Sequence, residues 1–445
     1  MPVHTIQPSF SGGELAPSLH ARVDLAKYAT GLKTCRNFFV QAHGGVANRS
    51  GTKFVCETAN SAKITRLIPF EFNTEQTYIL EFGHQTMRVI KDGGQVLSSG
   101  SPVSIATPYS DTELADLQFT QSADVMTICH ASHPVKEIKR TSHTAWSITS
   151  VSFGTSMSAP GSVSSTAQNY DGSNPGTSYS YVVTAVKTAT ADESVASSAT
   201  SVTNNNLSNT ITNTITWGAV SGANSYNVFK SFGGIYGFIG RATGTTFKDD
   251  NIEADPNDTP ATARTIFNTT DEYPATVAYY QQRLVFGQTN NDPQKIFMSQ
   301  TGNYHNFNIS EPLRDDDAVT FTIAASQVNE VRHLVPLSDM IILTSGGEWL
   351  LTANDGVITP SAIQVKPQGY RGSADAPPIV IGNTIIHLQS KGAIIRDLAF
   401  ALESDSYTGN DLTVLASHLF AGKTVKEWAY AQAPHSIVWV VLSDG

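Results

Sequence analysis

Cysteine is scarce in this chain: Cys35, Cys56 and Cys129 are the three among 445 residues, and no two stand in Cys-x-x-Cys spacing. An odd, scattered set makes no disulfide framework, so folding in a reducing cytoplasm is expected. Charged residues are also few, at 15%, against about a quarter in ordinary globular proteins. The net charge of −10 excludes the basic footprint of a surface that reads nucleic acid. No apolar run approaches the roughly eighteen residues that span a bilayer. Met1-Pro2-Val3-His4-Thr5 has neither the basic nor the apolar segment of a secretion signal, so no ordinary secretion is expected.

Catalytic motifs are missing as well. There is no Gly-x-x-x-x-Gly-Lys-Ser/Thr loop to cradle phosphate, no His-Glu-x-x-His for zinc and no Gly-x-Ser-x-Gly elbow. His130 and His133 bracket a turn beside Cys129, but the sequence nominates no third or fourth ligand, so no metal is expected. Asp315-Asp316-Asp317 with Glu311 lacks the glycine and alternate-ligand spacing of a calcium loop and reads as a solvated acidic turn. Arg66-Leu67-Ile68-Pro69 invites comparison with the Arg-Ile-Pro element of sialidases. The Ser-x-Asp-x-Gly-x-x-Trp boxes of that family are absent, and Ser345-Gly346-Gly347-Glu348-Trp349 fails their spacing. Arg66 therefore reads as an arginine opening a strand. A glycoside hydrolase needs two carboxylates about 5–10 Å apart, and Glu348, Asp339 and Asp397 are the nominees on hairpins. The expectation is of no catalytic, cofactor-binding or metal-binding residue, and of a protein that is not an enzyme.

What the chain does have is one figure repeated. A polar residue opens an apolar run at Thr77, Asp124, Arg283, Asp339, Thr384 and Ser436, with separations of 47, 159, 56, 45 and 52 residues. A second run follows the first five, at Met87 to Ile90, Val135 to Ile138, Ile296 to Met298, Trp349 to Leu351 and Ala393 to Ile395. Turn residues such as His84, Ser132-His133-Pro134, Gly346-Gly347 and Lys391-Gly392 separate them. Units of about 40–50 residues, each a small antiparallel sheet that cannot bury both faces alone, are the signature of β-propeller blades. The last run, Ile437 to Leu442, meets Ser443-Asp444-Gly445 with no return strand, so the last blade is expected to be incomplete. The separation of 159 falls into line once a foreign domain of roughly a hundred residues is removed.

The expected organisation is all-β: a β-propeller with an inserted β-sandwich and an extended N-terminal arm. Residues 1–55 form the arm, apolar in patches at Leu25, Tyr28, Phe38 and Phe39 but without a core of its own, so it must dock on this chain or on a neighbouring subunit. Residues 56–153 hold the first part of the propeller and 263–445 the second. Between them, 159–262 changes character, with few charges, much Ser, Thr and Asn, and alternating strands at Tyr179–Val186, Ile215–Trp217 and Tyr226–Phe229. A glycine hairpin at Gly233-Gly234 completes a compact sandwich. The segment resembles a fibronectin type III domain, in which a tryptophan strand precedes a tyrosine strand. Here Tyr179–Val186 with Asp192-Glu193-Ser194 resembles that family's late strands yet comes first, which points to a permuted order.

A second resemblance lies in the opening string. Phe10-Ser11-Gly12-Gly13-Glu14-Leu15-Ala16-Pro17, Arg22 to Tyr28, Gly31, Asn37, Gly44-Gly45 and Arg49-Ser50-Gly51-Thr52 resemble the start of the tail nozzle proteins (tail tubular protein B) of short-tailed bacteriophages. Arg66 to Phe70, Asp411-Leu412 and His418-Leu419 are similar to later stretches of that group. The resemblance implies a structural, ring-forming subunit, sixfold, at the tip of a short tail in the virion, made and assembled in the host bacterial cytoplasm. It would meet the adaptor below the portal and the tail fibres, and genomic DNA would leave through its lumen without sequence-specific binding. An acidic, weakly charged conduit suits that passage, because a basic one would hold phosphates by counterion release. A propeller glycan hydrolase or depolymerase of a tail, and a non-enzymatic receptor-binding adhesin, remain open alternatives.

Overall fold

The computed structural model describes residues 6–172, 175–190, 192–325, 327–353 and 355–444. Met1–Thr5 and Gly445, on which the leader and final-turn readings partly rest, lie outside the described residues. Within them the chain is all-β, with four 3-10 turns and no α-helix.

Besides small two-stranded pairs, six antiparallel sheets follow one another outside the 159–262 segment among the described residues. The first runs in the order Ser104–Ala106, Thr86–Lys91, Thr77–Gly83, Arg66–Glu71, with Gly94–Gln95 added beside Thr86–Lys91. The second is a meander of Gln118–Ser122, Val125–His130, His133–Arg140 and Trp146–Ser150. The third pairs Thr276–Tyr280, Arg283–Gly287, Lys295–Met298 and Val319–Thr322. The fourth pairs Val331–Pro336, Met340–Thr344, Glu348–Thr352 and Gln364–Gly369. The fifth pairs Ile379–Ile381, Thr384–Leu388, Ile395–Ala401 and Ser406–Thr408, and the sixth is the pair Val425–Ala431 with Ile437–Leu442.

In every sheet the apolar run read from the sequence is the second strand. Ile437–Leu442 obeys the same rule: its partner Val425–Ala431 precedes it, in the register Trp428 with Val440. The partner of this run thus precedes it, and the sixth sheet has two strands among the described residues. In the fifth sheet the third strand begins at Ile395 rather than Ala393, with Leu388 opposite Ile395.

Each sheet shares a hydrophobic core with the next. Ile68, Phe70 and Leu80 meet Met126, Ile128 and Ile138 between the first and second sheets. Cys129 and Val135 meet Val277, Leu284 and Phe286 between the second and third. Val285 and Met298 meet Met340 and Ile342 between the third and fourth. Val335, Ile341 and Leu343 meet Ile385 and Leu398 between the fourth and fifth, and Leu388 and Ile395 meet Val425 and Trp428 between the fifth and sixth. The second strands of the third and fourth sheets are consequently buried on both faces; Met340–Thr344 and Arg283–Gly287 are buried at every position. Arg66–Glu71 instead alternates, with Arg66, Ile68 and Phe70 inward, and as an edge strand it tolerates Pro69. First strands run side by side, Gln118–Ser122 next to Thr276–Tyr280 and that next to Val331–Pro336. Between the first sheet and the sixth, Arg66 Nε donates to Glu427 Oε1 at 3.0 Å.

Residues 159–262 form two sheets face to face. Ser164–Gln168, Thr212–Thr216 and Thr246–Asp249 make one; Asp192–Glu193, Thr177–Lys187, Ser225–Phe232 and Ile235–Ala242, with Thr200–Asn204 beside Thr177–Lys187, make the other. Between them lie Tyr181, Val183, Ile215, Trp217, Tyr226 and Val228, with the Trp217 and Tyr226 rings 5.3 Å apart. The buried Asp249 carboxylate accepts from Tyr181 Oη at 2.8 Å and Lys230 Nζ at 3.0 Å. Gly233 and Gly234, at φ 60° and 90°, supply the left-handed pair that a two-residue hairpin turn requires.

The arm lies on its own chain. Leu15 and Ala16 are buried, the Ala16 amide donates to Leu415 O at 2.8 Å, Glu14 Oε1 pairs with His418 Nε2 at 3.0 Å, and Phe39 packs edge-on against Trp439.

Another joint ties the second sheet to the loop at 303–308. The buried Glu137 carboxylate is held at about 2 by hydrogen bonding to His305 (2.6 Å), helped by Lys139. Its folded value lies below the ordinary 4.5, so the stabilisation is present above that value and is lost as pH falls from there toward 2. By the cost of about 1.4 kcal/mol per pH unit, the contribution is at most about 3 kcal/mol. Denaturant unfolding at pH 6 and pH 3 should show the wild type losing roughly 2 kcal/mol more than Glu137→Gln; equal losses would remove Glu137 from the account.

Candidate functional site

The side chains singled out by sequence do not converge on one site. Glu348 begins its strand, opposite Leu343, whereas Asp339 precedes Met340 at the other end of the same pair. Four residues of strand put the two about 14 Å apart, and Asp397 sits on the fifth sheet. Glu348 is itself a buried structural group. Its Oε2 accepts the Arg371 amide at 3.4 Å, burial pushes its carboxyl up, and a Cβ at Gly369 would stand 2.4 Å from Oε2. Asp397 Oδ1 caps the Asn410 amide.

The acidic turn is occupied by the chain's own cation. The buried Arg283 guanidinium donates to Ser299 O at 2.7 Å, Asp315 O at 2.9 Å and Asp317 O at 2.5 Å. The Asp317 carboxylate is taken by the Ser310 amide and hydroxyl and the Arg314 amide. Arg66 plays the matching part in the first sheet, donating to Leu114 O at 2.9 Å and Leu117 O at 2.7 Å. Both arginines tie loops to strands.

A polar hollow of about 240 Å³ opens where the second, third and fourth sheets approach, lined by Asp116, Gln118, Glu330, Arg332, His333 and Asp375. Arg332 and His333 in its wall are paired within the chain. Arg332 reaches Glu330 at 2.7 Å and Asp375 at 2.8 Å. His333, neutral because burial pushes it down to about 4, donates from Nε2 to Ala374 O and accepts from Gln118 Nε2 at 3.1 Å. These pairs fix the sheets relative to one another, whereas His130, which also lines the hollow, has an Nε2 with no hydrogen-bond partner.

The histidine turn differs from its sequence reading. Cys129 points away into the aromatic core with Phe286 and Phe297, its thiol pushed up by burial. His130 and His133 are cross-strand partners on the second hairpin, and Glu113 comes up to them from the connection between the first two sheets, Oε1 lying 3.0 Å from His133 Nε2. Sequence reasoning missed Glu113. Ser110-x-x-Glu113 has capping-box spacing, which signals a pinned carboxylate but not what it meets.

Taken together, the chain is an all-β protein of consecutive small antiparallel sheets joined core to core, carrying one two-sheet insertion. Residues 271–425 match the family model described as bacteriophage nozzle protein, a stretch covering the third, fourth and fifth sheets. The match supports a phage nozzle protein, hence a structural part of a phage tail. No curated protein matches the chain. Solved structures with similarity include Hsv2 of Kluyveromyces lactis, at 9% identity over 75% of this chain and 81% of that one, TM-score 0.29. Another is BBS1N in complex with ARL6DN, at 10% identity over 87% and 91%, TM-score 0.31. No helix among the described residues is long and apolar enough to cross a membrane.

Proposed function

We propose that this chain is a ring-forming nozzle subunit of a short phage tail. Its six sheets are blades of a β-propeller, with 159–262 a fibronectin type III-like guest and 1–55 a docking arm. The observation that carries the reading is the nozzle-family match over 271–425, which falls on three consecutive sheets of the repeat. The Arg66–Glu427 contact between the last sheet and the first supports a circular arrangement. In the virion, copies of the chain form a ring, sixfold by the resemblance, below the adaptor on the portal side. The ring carries the fibres and passes DNA through an acidic lumen. Assembly takes place in the host bacterial cytoplasm. The separation of Glu348, Asp339 and Asp397 favours this structural role over a tail depolymerase, and no cofactor or metal is needed for it.

The test is electron microscopy of phage particles labelled with an antibody against residues 159–262, alongside the purified chain mixed with its adaptor. Label at the tail tip and closed rings in the mixture are expected. Particles that lack the chain, or carry it on the capsid, would overturn the reading.

A further inference from the structure

We propose that Glu113, His130 and His133 form a binding site for a divalent ion of the zinc class, which staples the connection between the first and second sheets to the turn of the second. Among the described residues this is the one group of its kind, with one ligand atom from each side chain lying within 4.8 Å of the others. A tetrahedral ion with bonds of about 2.0–2.1 Å holds its ligand atoms about 3.3 Å apart, so closure needs side-chain shifts of about an ångström. Two imidazoles and one carboxylate suit a borderline ion such as Zn²⁺, whereas Mg²⁺ and Ca²⁺ take oxygen shells.

Each ligand is already prepared. His130 and His133 face each other across a two-residue turn, which puts both rings on one face of the hairpin. Glu113 is anchored by its other oxygen: Oε2 accepts the Ser110 amide and hydroxyl, both at 2.7 Å, leaving Oε1 for the site.

The second observation is what lacks a partner. His130 is 5% exposed, and its Nε2 has no hydrogen-bond partner; the buried Tyr109 hydroxyl, on a ring 5.2 Å from that of His133, has none either. Buried polar atoms are normally paired, and an ion with a bound solvent molecule would supply what both lack. Ligation through Nε2 moves the His130 ring proton to Nδ1, which now accepts the Ser132 amide at 3.0 Å; the exposed Ser132 must turn away. Ligation through His133 Nε2 likewise places that ring's one proton on Nδ1, and the Nε2 contact with Glu113 Oε1 gives way to the shared ion.

The experiment takes the untagged full chain, stripped with chelator and titrated with ZnCl₂ by calorimetry. One saturable equivalent, a raised Tm with Zn²⁺ and no shift with Mg²⁺ or Ca²⁺ are expected. Glu113→Gln and His133→Asn should each weaken Zn²⁺ by more than the roughly 10–100-fold typical of losing an outer-shell partner. X-ray absorption at the zinc edge of the wild type, which needs no variant, should show two imidazoles and oxygen. No saturable binding, unchanged affinity in both variants, or a shell without imidazole would overturn the proposal.

Discussion

Arg283→Ala is expected to destabilise the protein by on the order of 4 kcal/mol, near the top of the range for single substitutions. The guanidinium is almost wholly buried, and its donors face main-chain carbonyls alone: Ser299, Asp315 and Asp317, with Asp316 and Ile358 at 3.4 and 3.5 Å. Removing it leaves carbonyls without donors in a dry interior, each costing about 1–3 kcal/mol, and opens a side-chain-sized cavity besides. The damage reaches two sheets, because Ile358 belongs to the fourth sheet's loop while Arg283 opens the third sheet's second strand. Arg283→Lys should recover little, since a compact ammonium cannot reproduce a planar fork of donors. Chemical denaturation of both variants decides the matter. A loss below about 1 kcal/mol in the alanine variant would mean that water enters and satisfies the carbonyls.

How much of this was legible follows from which faces are buried. The second strands of the third and fourth sheets lie between two neighbouring sheets, so Met340 to Leu343 and Leu284 to Phe286 are apolar without interruption. Such runs stand out in the sequence. The first strand of the second sheet and the last strand of the fourth are only partly covered. Gln118–Ser122 is polar throughout apart from Phe119, and Gln364–Gly369 carries Lys366 and Pro367; neither announces a strand. The sandwich was legible because its strands alternate cleanly around Tyr181, Trp217 and Tyr226. The acidic turn misled because a carboxylate run hides the role of its own carbonyls, and their partner Arg283 lies 32 residues back from Asp315. Glu113 escaped for the same reason. The hairpin that sets His130 against His133 is local, but the Glu113 contact is made across 20 residues, by the way the second sheet folds onto the first. Residue spacing speaks for neighbours in the chain; packing of one sheet on another chose the rest.

Asp192→Ala is expected to separate the sandwich from the body of the protein. One buried carboxylate makes that joint: Oδ1 accepts from Thr155 Oγ1 at 2.9 Å and Asn306 Nδ2 at 2.8 Å, and Oδ2 accepts from the Ser156 amide at 3.1 Å and its hydroxyl at 2.5 Å. All four donors lie outside residues 159–262, in the incoming link and in the loop at 303–308. Glu193 adds an ion pair to Arg314 at 3.6 Å, and Thr259–Thr262 pairs with Ile309–Glu311 on the way out. Hydrogen bonds to a charged group contribute about 1.5–3 kcal/mol each but do not add when they share one carboxylate, so the expected loss is about 3 kcal/mol. Asp192→Asn should do no better, because its amide would turn donors toward donors. The sandwich keeps its own core around Tyr181 and Trp217, so the loss falls on the coupling between two folded parts. Calorimetry should show one transition in the wild type and two in the variant, with new protease cleavage between 154 and 160. A single transition, lowered or not, would show that the strand pairing at 259–262 couples the two parts without Asp192.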